Sequence, residues 1–256
     1  MNAFDLKGKR AFVPGGYGGI GEAIARALLG AGAAVTVAGR SEAKAKALAA
    51  TLTTEGHKAF GVAMDGQNTT HRKEAVDQAA ALMGGLDILV NCIGMNREQK
   101  IEEVTEETFD EIYRSNLRSA MFLAQSAARH QVAGGRGGKQ VHLLSVRSQL
   151  GMRGFGYSAY CATKGALVML VKQHALELAP HGITVNGVAP TVVLTDAADR
   201  WRSDEARWKA LLARIPLGRV AEASDVAGAA HFLCSKASDF VTGQVLYVDG
   251  GITASQ

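Results

Sequence analysis

The chain has 256 residues, four prolines and a formal net charge of +4 at neutral pH, with no internal repeat and no linker-like segment. A chain of this length without a visible boundary is expected to fold as one domain, residues 1–256. Its 28 Lys and Arg residues are scattered among 24 Asp and Glu residues, which argues against nucleic-acid binding. The charged N-terminus and the lack of a long apolar run argue against a signal peptide and a membrane span, so a soluble, cytoplasmic protein is expected.

The three cysteines, Cys92, Cys161 and Cys234, are far apart in the sequence. Their spacing fits neither a disulfide framework nor a zinc pattern. We expect buried thiols in a reducing compartment and no bound metal.

Short apolar segments alternate with helical patterns along the whole chain. The predicted strands are residues 10–13, 34–38, 58–63, 86–90, 139–144, 184–188 and 245–248. The predicted helices lie near residues 20–28, 41–54, 70–83, 106–133, 158–178 and 224–234. This alternation predicts an α/β fold of the Rossmann type, with a doubly wound, parallel seven-stranded sheet and helices on both faces.

The first predicted strand runs directly into the sequence PGGYGGIG, residues 14–21, and a helix follows. Strand, glycine turn and helix is the context in which a glycine motif indicates dinucleotide binding. Gly15, Gly19 and Gly21 would permit the tight turn, let the pyrophosphate approach the backbone, and direct helix N–H groups towards it. A glycine-rich turn without function is the alternative.

The second predicted strand ends at Gly39-Arg40-Ser41. An NAD site would place a carboxylate here to hold the ribose hydroxyl, and none is present. Arg40 brings a cation that suits a 2'-phosphate, so we expect NADP(H) rather than NAD(H) as coenzyme. The alternative is that Arg40 is a solvated residue at the start of a helix.

The ends of the next two strands carry further candidates. Asp65 follows the third strand and could either meet the adenine amino group or cap the next helix. Asn91 ends the fourth strand and could brace neighbouring strands, while Gly94 leaves room for a cofactor ribose. Asn116 lies inside the following helix, where Asn is unfavourable because its side chain tends to hydrogen-bond the nearby backbone. It is either an exposed polar residue or a site whose side chain or loosened carbonyl holds a water.

The fifth strand ends at Ser145, at the sheet edge where ligands bind in such folds. Ser145 is therefore the first candidate to hydrogen-bond a substrate carbonyl and Ser148 the second, although either could be a plain turn residue. Tyr160 and Lys164 are four residues apart on the next helix and share a face, so the cation would favour phenolate and make Tyr160 a plausible proton donor. Such pairs also occur by chance on surface helices.

Residues 196–215 form a helical stretch between the last two strands and could cover the carboxyl edge of the sheet as a lid. Its apolar character suits either a substrate with hydrophobic surface or a lid packed on its own core. The apolar residues concerned are Leu194, Trp201, Trp208, Leu211 and Leu212.

These landmarks together resemble the short-chain dehydrogenase/reductase family over nearly the whole chain. PGGYGGIG is similar to the glycine motif of that family, NCIG to its Asn-Asn-Ala-Gly, YCATK to its Tyr-x-x-x-Lys and PTVVLT to its Pro-Gly turn. Asn116, the serine at the strand end and VTGQVLYVDGG near the end complete the pattern. The resemblance implies an NAD(P)-dependent oxidoreductase that interconverts a secondary alcohol and a ketone by hydride transfer, and it implies a homotetramer.

The resemblance also implies a catalytic tetrad of Asn116, Ser145, Tyr160 and Lys164. Tyr160 would give its proton to the developing alkoxide, and Lys164 would hold the nicotinamide ribose and favour the phenolate. Ser145 would orient the carbonyl, and Asn116 would hold a water that relays protons. The implied cofactor contacts are Gly15, Tyr17, Gly19, Ile20, Arg40, Asp65, Asn91, Gly94, Tyr160, Lys164, Pro190, Val193 and Thr195.

Three positions depart from the family pattern. Pro14 stands where Thr is usual and offers neither a hydroxyl nor an N–H, so that turn must be held in another way. Thr191 replaces the usual Gly after Pro190. The family serine normally precedes its Tyr by thirteen positions, where this chain has Arg147. We prefer Ser145 to Ser148 because a strand fixes geometry better than a loop, and this choice implies a loop two residues longer than usual.

The substrate is left open by the sequence. A sugar or polyol dehydrogenase, a 3-oxoacyl reductase and a carbonyl reductase are all compatible with it. A catalytically idle sensor or scaffold that binds dinucleotide is the alternative from another class, and the intact Tyr160 and Lys164 argue against it.

Overall fold

Seven parallel strands form the central sheet of the computed structural model, which describes residues 2–195 and 204–254. The strands are β1 (Arg10–Pro14), β2 (Ala34–Gly39), β3 (Ala59–Ala63), β4 (Ile88–Asn91), β5 (Gly138–Leu143), β6 (Ile183–Pro190) and, after a small second sheet, β9 (Val245–Val248). Their order is β3-β2-β1-β4-β5-β6-β9. The order reverses between β1 and β4, which opens a crevice at the carboxyl ends of these strands. The predicted fold class is confirmed.

Eight α-helices connect the described strands. They are α1 (Gly19–Gly30), α2 (Glu42–Thr54), α3 (Thr69–Met83), α4 (Glu106–Tyr113), α5 (Ser119–Gly134), α6 (Ser158–Leu178), α7 (Glu205–Leu212) and α8 (Ala223–Cys234). None of the helices in the described ranges has the length and apolar character needed to cross a lipid bilayer.

Both faces of the sheet are covered, because successive side chains of a strand point in opposite directions. Ala11 and Val13 of β1 pack with α1, α2 and α8, whereas Phe12 packs with α3 and α5. All three side chains are fully buried. Such two-sided burial explains why the strands read as continuous apolar runs rather than as alternating patterns.

The sequence analysis did not predict one small sheet, and the structure excludes one of the two roles considered for Asp65. The strands β7 (Val193–Leu194) and β8 (Ala221–Glu222) pair in parallel beside the main sheet, and two-residue strands leave no periodic signal. Asp65 does not cap α3. Asn68 does so, accepting from the backbone N–H groups of Thr70 and His71 at 2.9 and 3.2 Å. The Asp65 carboxylate instead accepts from the backbone N–H of Gln67 at 2.9 Å.

A π-helical segment, Arg114–Arg118, separates α4 from α5 where the sequence predicted one continuous helix. Asn116 lies inside this segment and is completely buried, which excludes the alternative that it is an exposed polar residue. Such π segments are rare and concentrate at functional sites.

His142 of β5 is fully buried in the interior of the sheet. Its Nδ1 lies 3.5 Å from Nδ2 of Asn91, and its Nε2 has no hydrogen-bond partner in the described part of the chain. Burial, with a smaller effect of the nearby His174 and Lys164, lowers the pKa of His142 from 6.5 to about 3. The folded protein therefore holds this imidazole neutral at every mildly acidic pH.

We expect His142 to contribute to acid unfolding. Below pH 6.5 the unfolded chain binds a proton at this position and the folded protein does not, so stability present above pH 6.5 is lost as the pH falls towards 3. The loss between pH 6.5 and pH 5 is about 2 kcal/mol. Urea unfolding of His142→Asn should show a shallower decrease over this range. The exposed His71→Asn serves as control, and equal pH dependence in both variants would contradict the prediction.

Candidate active site

A cleft of about 700 Å³ lies at the carboxyl ends of β1, β4, β5 and β6. The glycine turn lies along its wall, and so do several of the residues predicted to be catalytic. The predicted site residues that line it are Gly15, Gly19, Ile20, Gly94, Ser145, Tyr160, Lys164, Pro190, Val193 and Thr195.

The glycine turn joins β1 to α1 in a geometry that side chains would obstruct. Gly15 has a φ of +80°, and a Cβ on Gly21 would lie 2.1 Å from the carbonyl oxygen of Gly15. The turn that Pro14 leaves without a hydroxyl is held by main-chain bonds: the Gly15 N–H donates to Ala38 at 2.7 Å, and the Pro14 carbonyl accepts from Cys92 at 3.0 Å. No side chain caps α1 at Gly18, so the first N–H groups of this helix are available to an anion.

Tyr17 of the glycine turn lies outside the cleft, against the end of β2. A Cβ on Gly39 would lie 2.1 Å from the Tyr17 ring, which shows how closely the ring covers this glycine. The Tyr17 hydroxyl accepts from the backbone N–H of Ser41 at 3.3 Å. Arg40, between Gly39 and Ser41, is exposed. The aromatic ring of Tyr17 therefore leaves no room for a side chain at position 39.

Lys164 is 3% exposed and extends from α6 towards the sheet. Its Nζ donates to the carbonyl of Leu143, the last residue of β5, at 2.7 Å. Burial lowers the pKa of Lys164 to about 8. Nζ lies 5.6 Å from the centroid of the Tyr160 ring, and a Cβ on Gly94 would lie 3.3 Å from Nζ. Tyr160 and Lys164 thus face the same cleft, as their spacing predicted.

Asn116 does not line the cleft but holds two of its walls together. Its Oδ1 accepts from the backbone N–H of Met95 at 2.8 Å, and its Nδ2 donates to the carbonyl of Met95 at 2.9 Å and to Oγ1 of Thr163 at 3.1 Å. Because both ends of the amide are engaged, the side chain itself has little left to offer a water.

The two candidate serines point to different surroundings. Ser145 is buried at the edge of β5 and lines the cleft beside Tyr160. Its Oγ accepts from the backbone N–H of Arg147 at 3.2 Å and keeps its own proton available to donate. Ser148 is not part of the cleft wall, and its hydroxyl lies 3.2 Å from that of Tyr247.

Sequence reasoning named Arg147 only as a departure from the family spacing. The structure places it in the wall of the cleft, 9% exposed, within a short 3-10 helix, Val146–Ser148. Its Nη1 donates to the carbonyls of Leu150 and Gly151 at 3.3 and 2.7 Å. Burial, followed by the positive charge of Arg214, lowers the pKa of its guanidinium. No sequence motif indicates that Arg147 is buried, because an arginine in a loop is usually exposed to solvent.

Besides Tyr17 and Arg40, the predicted cofactor contacts Asn91 and Asp65 lie apart from the cleft wall. Asn91 is buried, and its Nδ2 lies 3.5 Å from Nδ1 of His142 on the neighbouring strand β5, which agrees with the bracing role considered for it. Its Oδ1 accepts from the backbone N–H of Ile93 at 3.1 Å. Asp65 is partly buried at the end of β3. Asn96 and Thr191 were not predicted as contacts, but both line the cleft. Oδ1 of Asn96 and Oγ1 of Thr191 are buried and have no hydrogen-bond partner in the described ranges. Unsatisfied polar atoms in a cleft wall fit a polar ligand.

The predicted lid is described only from residue 204 onward, and Trp201 lies outside the described residues. Trp208 and Leu212 of α7 belong to an apolar cluster around Leu211, Ile215 and Ile252. Among the named lid residues that the structure describes, Leu211 alone also lines the cleft. Packing of the lid therefore accounts for most of its apolar character, and an apolar substrate is not required.

A family model described as Enoyl-(Acyl carrier protein) reductase matches residues 16–253. Gluconate 5-dehydrogenase of Gluconobacter oxydans (strain 621H) is 38% identical over 255 residues, which span 98% of this chain and 97% of that protein. L-xylulose reductase of Mesocricetus auratus is 41% identical over 246 residues, which span 96% and 97%.

Solved structures agree with these relatives. A crystal structure of a gluconate 5-dehydrogenase from Burkholderia cenocepacia J2315, in complex with NADP and tartrate, superposes with a TM-score of 0.95 at 38% identity. The superposition covers 99% of this chain and 98% of that one. The similarity therefore extends over the whole sheet and the cleft at its carboxyl edge.

Proposed function

The chain belongs to the short-chain dehydrogenase/reductase family, and we propose that it interconverts a secondary alcohol and a ketone of a sugar or polyol, with NADP(H) as preferred coenzyme. One observation carries this proposal. Tyr160, Lys164 and Ser145 line the same cleft as the glycine turn, so proton-transfer groups lie next to a site suited to a dinucleotide. The relatives named above support the substrate class.

The residues of the cleft fit a bound dinucleotide. The glycine turn and the uncapped N-terminus of α1 offer N–H groups to a pyrophosphate, and Gly94 leaves the space that a ribose needs beside Lys164. Ile20, Pro190, Val193 and Thr195 would contact the nicotinamide end. A bound nicotinamide supplies the hydride that a ketone accepts and takes it back from an alcohol.

The side chains of the cleft divide the proton chemistry among them. Ser145 donates a hydrogen bond to the substrate oxygen, and Tyr160 gives its proton to that oxygen as negative charge develops there. The Lys164 ammonium stabilises the resulting phenolate, because a cation near a phenol favours its charged form. Asn116 has its side chain engaged, so the role of holding a water falls to its backbone carbonyl in the π segment.

A catalytically idle sensor or scaffold is not favoured. The relatives of this chain that are of closely similar length carry the names of dehydrogenases and reductases. An idle site would also have no reason to keep a buried lysine in a cleft, since a buried ammonium is costly unless it is used.

We further propose a homotetramer located in the cytoplasm. Met169 and Leu176 of α6 are 62% and 72% exposed, and Phe240, just before β9, is fully exposed. Met169 and Leu176 are seven residues apart and share one face of α6, and contiguous exposed apolar surface is typical of interaction sites. The free cysteines are consistent with a reducing compartment.

Measuring turnover in the wild-type protein and in variants of Tyr160, Ser145 and Ser148 tests the catalytic roles assigned to Tyr160 and Ser145. We expect oxidation of sugar acids or alditols to be visible as coenzyme reduction, and Tyr160→Phe to lower kcat by roughly 10²–10⁴-fold. Ser145→Ala should lower kcat by about 10²-fold because it removes a donor to the substrate oxygen. Ser148→Ala, the matched control, should retain kcat within about threefold, since its hydroxyl contacts Tyr247 instead. A greater loss in Ser148→Ala than in Ser145→Ala would refute the assignment.

Coenzyme preference tests the assignment of Arg40. Removal of the guanidinium in Arg40→Ala should weaken NADPH binding by roughly 10–100-fold, because hydrogen bonds to charged groups contribute about 1.5–3 kcal/mol. Binding of NADH, which lacks the 2'-phosphate, should change little. Titration of both coenzymes by fluorescence measures the two affinities. Wild-type protein that binds NADH more tightly than NADPH would contradict the proposal.

Mass measurement by light scattering after size exclusion tests the oligomeric state. We expect four times the monomer mass for the wild-type chain, and a smaller species for Leu176→Glu or Phe240→Glu, because a buried unpaired carboxylate opposes association. Lys236→Glu, on a 3-10 turn near Phe240, controls for added negative charge. A monomeric wild-type protein would exclude the tetramer.

A further inference from the structure

The guanidinium of Arg147 is a buried cation in the wall of the cleft. The side chain is about nine-tenths buried, yet no Asp or Glu of the described ranges pairs with it. A buried charge without a counter-ion is costly, so proteins usually pair it. Arg10 illustrates the usual solution, because Asp87 binds its Nε at 2.6 Å and its Nη2 at 2.8 Å. Arg147 is left to be paired by something that enters the cleft.

The orientation of the guanidinium is already fixed by main-chain acceptors. Both of its hydrogen bonds start at Nη1 and end on the carbonyls of Leu150 and Gly151. The edge formed by Nε and Nη2 remains for a ligand, and two parallel N–H groups on such an edge match the two oxygens of a carboxylate. The anchored Nη1 reduces the entropy that would be lost when a ligand binds.

The position of Arg147 points to the substrate rather than to the coenzyme. It stands two residues after Ser145 in the loop that follows β5, and it lines the same cleft wall as Ser145 and Tyr160. The anion site for a pyrophosphate is elsewhere, at the glycine turn and the N-terminus of α1. Arg214 adds a second positive charge near Arg147. The potential at this end of the cleft therefore favours an anionic substrate over a neutral one.

We propose that Arg147 is a specificity-determining residue that binds the carboxylate of a sugar-acid substrate, so that the protein acts on hydroxy and oxo acids rather than on neutral polyols. This inference rests on the proposed oxidoreductase function and adds the chemical class of the substrate. Ser145 and Tyr160 act on the reacting carbon, and Arg147 fixes the charged end of the same molecule.

Matched pairs of substrates test this proposal. D-gluconate and D-glucitol differ only in a carboxylate against a CH₂OH group, and other aldonates can be paired with their alditols in the same way. Wild-type protein should have a higher kcat/KM for the acid. The ratio of kcat/KM for the acid to kcat/KM for the alditol should fall by roughly 10–100-fold in Arg147→Met. Arg147→Lys keeps the charge but loses the bidentate geometry, so its ratio should fall by an intermediate factor. Arg153→Met, an exposed charge removal in the same loop, should leave the ratio unchanged.

Binding measured without turnover separates this proposal from the proposed function. Calorimetric titration of the NADP⁺-loaded protein with tartrate and with its neutral analogue threitol should show binding of tartrate alone, weakened at least tenfold in Arg147→Met. Thermal unfolding and NADPH titration of the variant establish that it is folded and binds coenzyme.

The outcomes decide between the two proposals. Equal losses on acid and alditol in Arg147→Met, with a shifted pH profile, would assign Arg147 to the support of Tyr160 and overturn the substrate proposal. A wild-type preference for alditols would overturn it as well. Tartrate binding that depends on Arg147 in a protein without turnover on any pair would support the carboxylate site and refute the oxidoreductase function. Tartrate binding independent of Arg147 would overturn the carboxylate site.

Discussion

The hydrogen bond between the Lys164 ammonium and the carbonyl of Leu143 fixes the position of the whole cleft. It joins α6 to the last residue of β5 at 2.7 Å, in an environment so buried that the pKa of the lysine falls to about 8. Tyr160 lies one helical turn earlier and is carried to the sheet edge by this contact. Ser145 follows Leu143 by two residues, so the same bond sets its distance from Tyr160. A change in the packing of α6 on β5 would therefore move all three groups together.

Asn116 supplies the second constraint, because it connects the segment after β4 to α6. Both ends of its amide are engaged by Met95 and Thr163, and a buried polar group held in this way favours one arrangement of its neighbours. The side chain reaches these partners from within the π segment. Asn has a low propensity for the interior of a helix, but the hydrogen bonds of Asn116 with Met95 and Thr163 outweigh this local preference.

What the sequence could predict follows from how local each signal is. The strands and the glycine turn are encoded by neighbouring residues, and the structure confirms them within one or two positions. The pairing of Tyr160 with Lys164 was also predictable, because helical spacing brings the two residues to one face. The family resemblance named Asn116, but the burial of Asn116 and of Arg147 was not predictable, since it depends on partners distant in the chain or on the path of a loop. The sequence left the cap of α3 open for a simpler reason: Asp and Asn are both good caps, and only the turn between Asp65 and Asn68 decides which of them caps the helix.

Two buried cations near one phenol define the electrostatics of this cleft. Lys164 donates to the main chain of β5 and faces the space beside Gly94, whereas Arg147 donates to its own loop and stands after Ser145. Burial disfavours the charged form of both side chains, so negative charge close to either one is stabilising. In the proposed mechanism that charge is the phenolate of Tyr160 for Lys164, and in the proposed specificity it is the carboxylate of a substrate for Arg147. On these proposals the substrate carboxylate and the phenolate would act on one shared electrostatic potential, so the charge of the substrate would influence proton transfer without touching Tyr160.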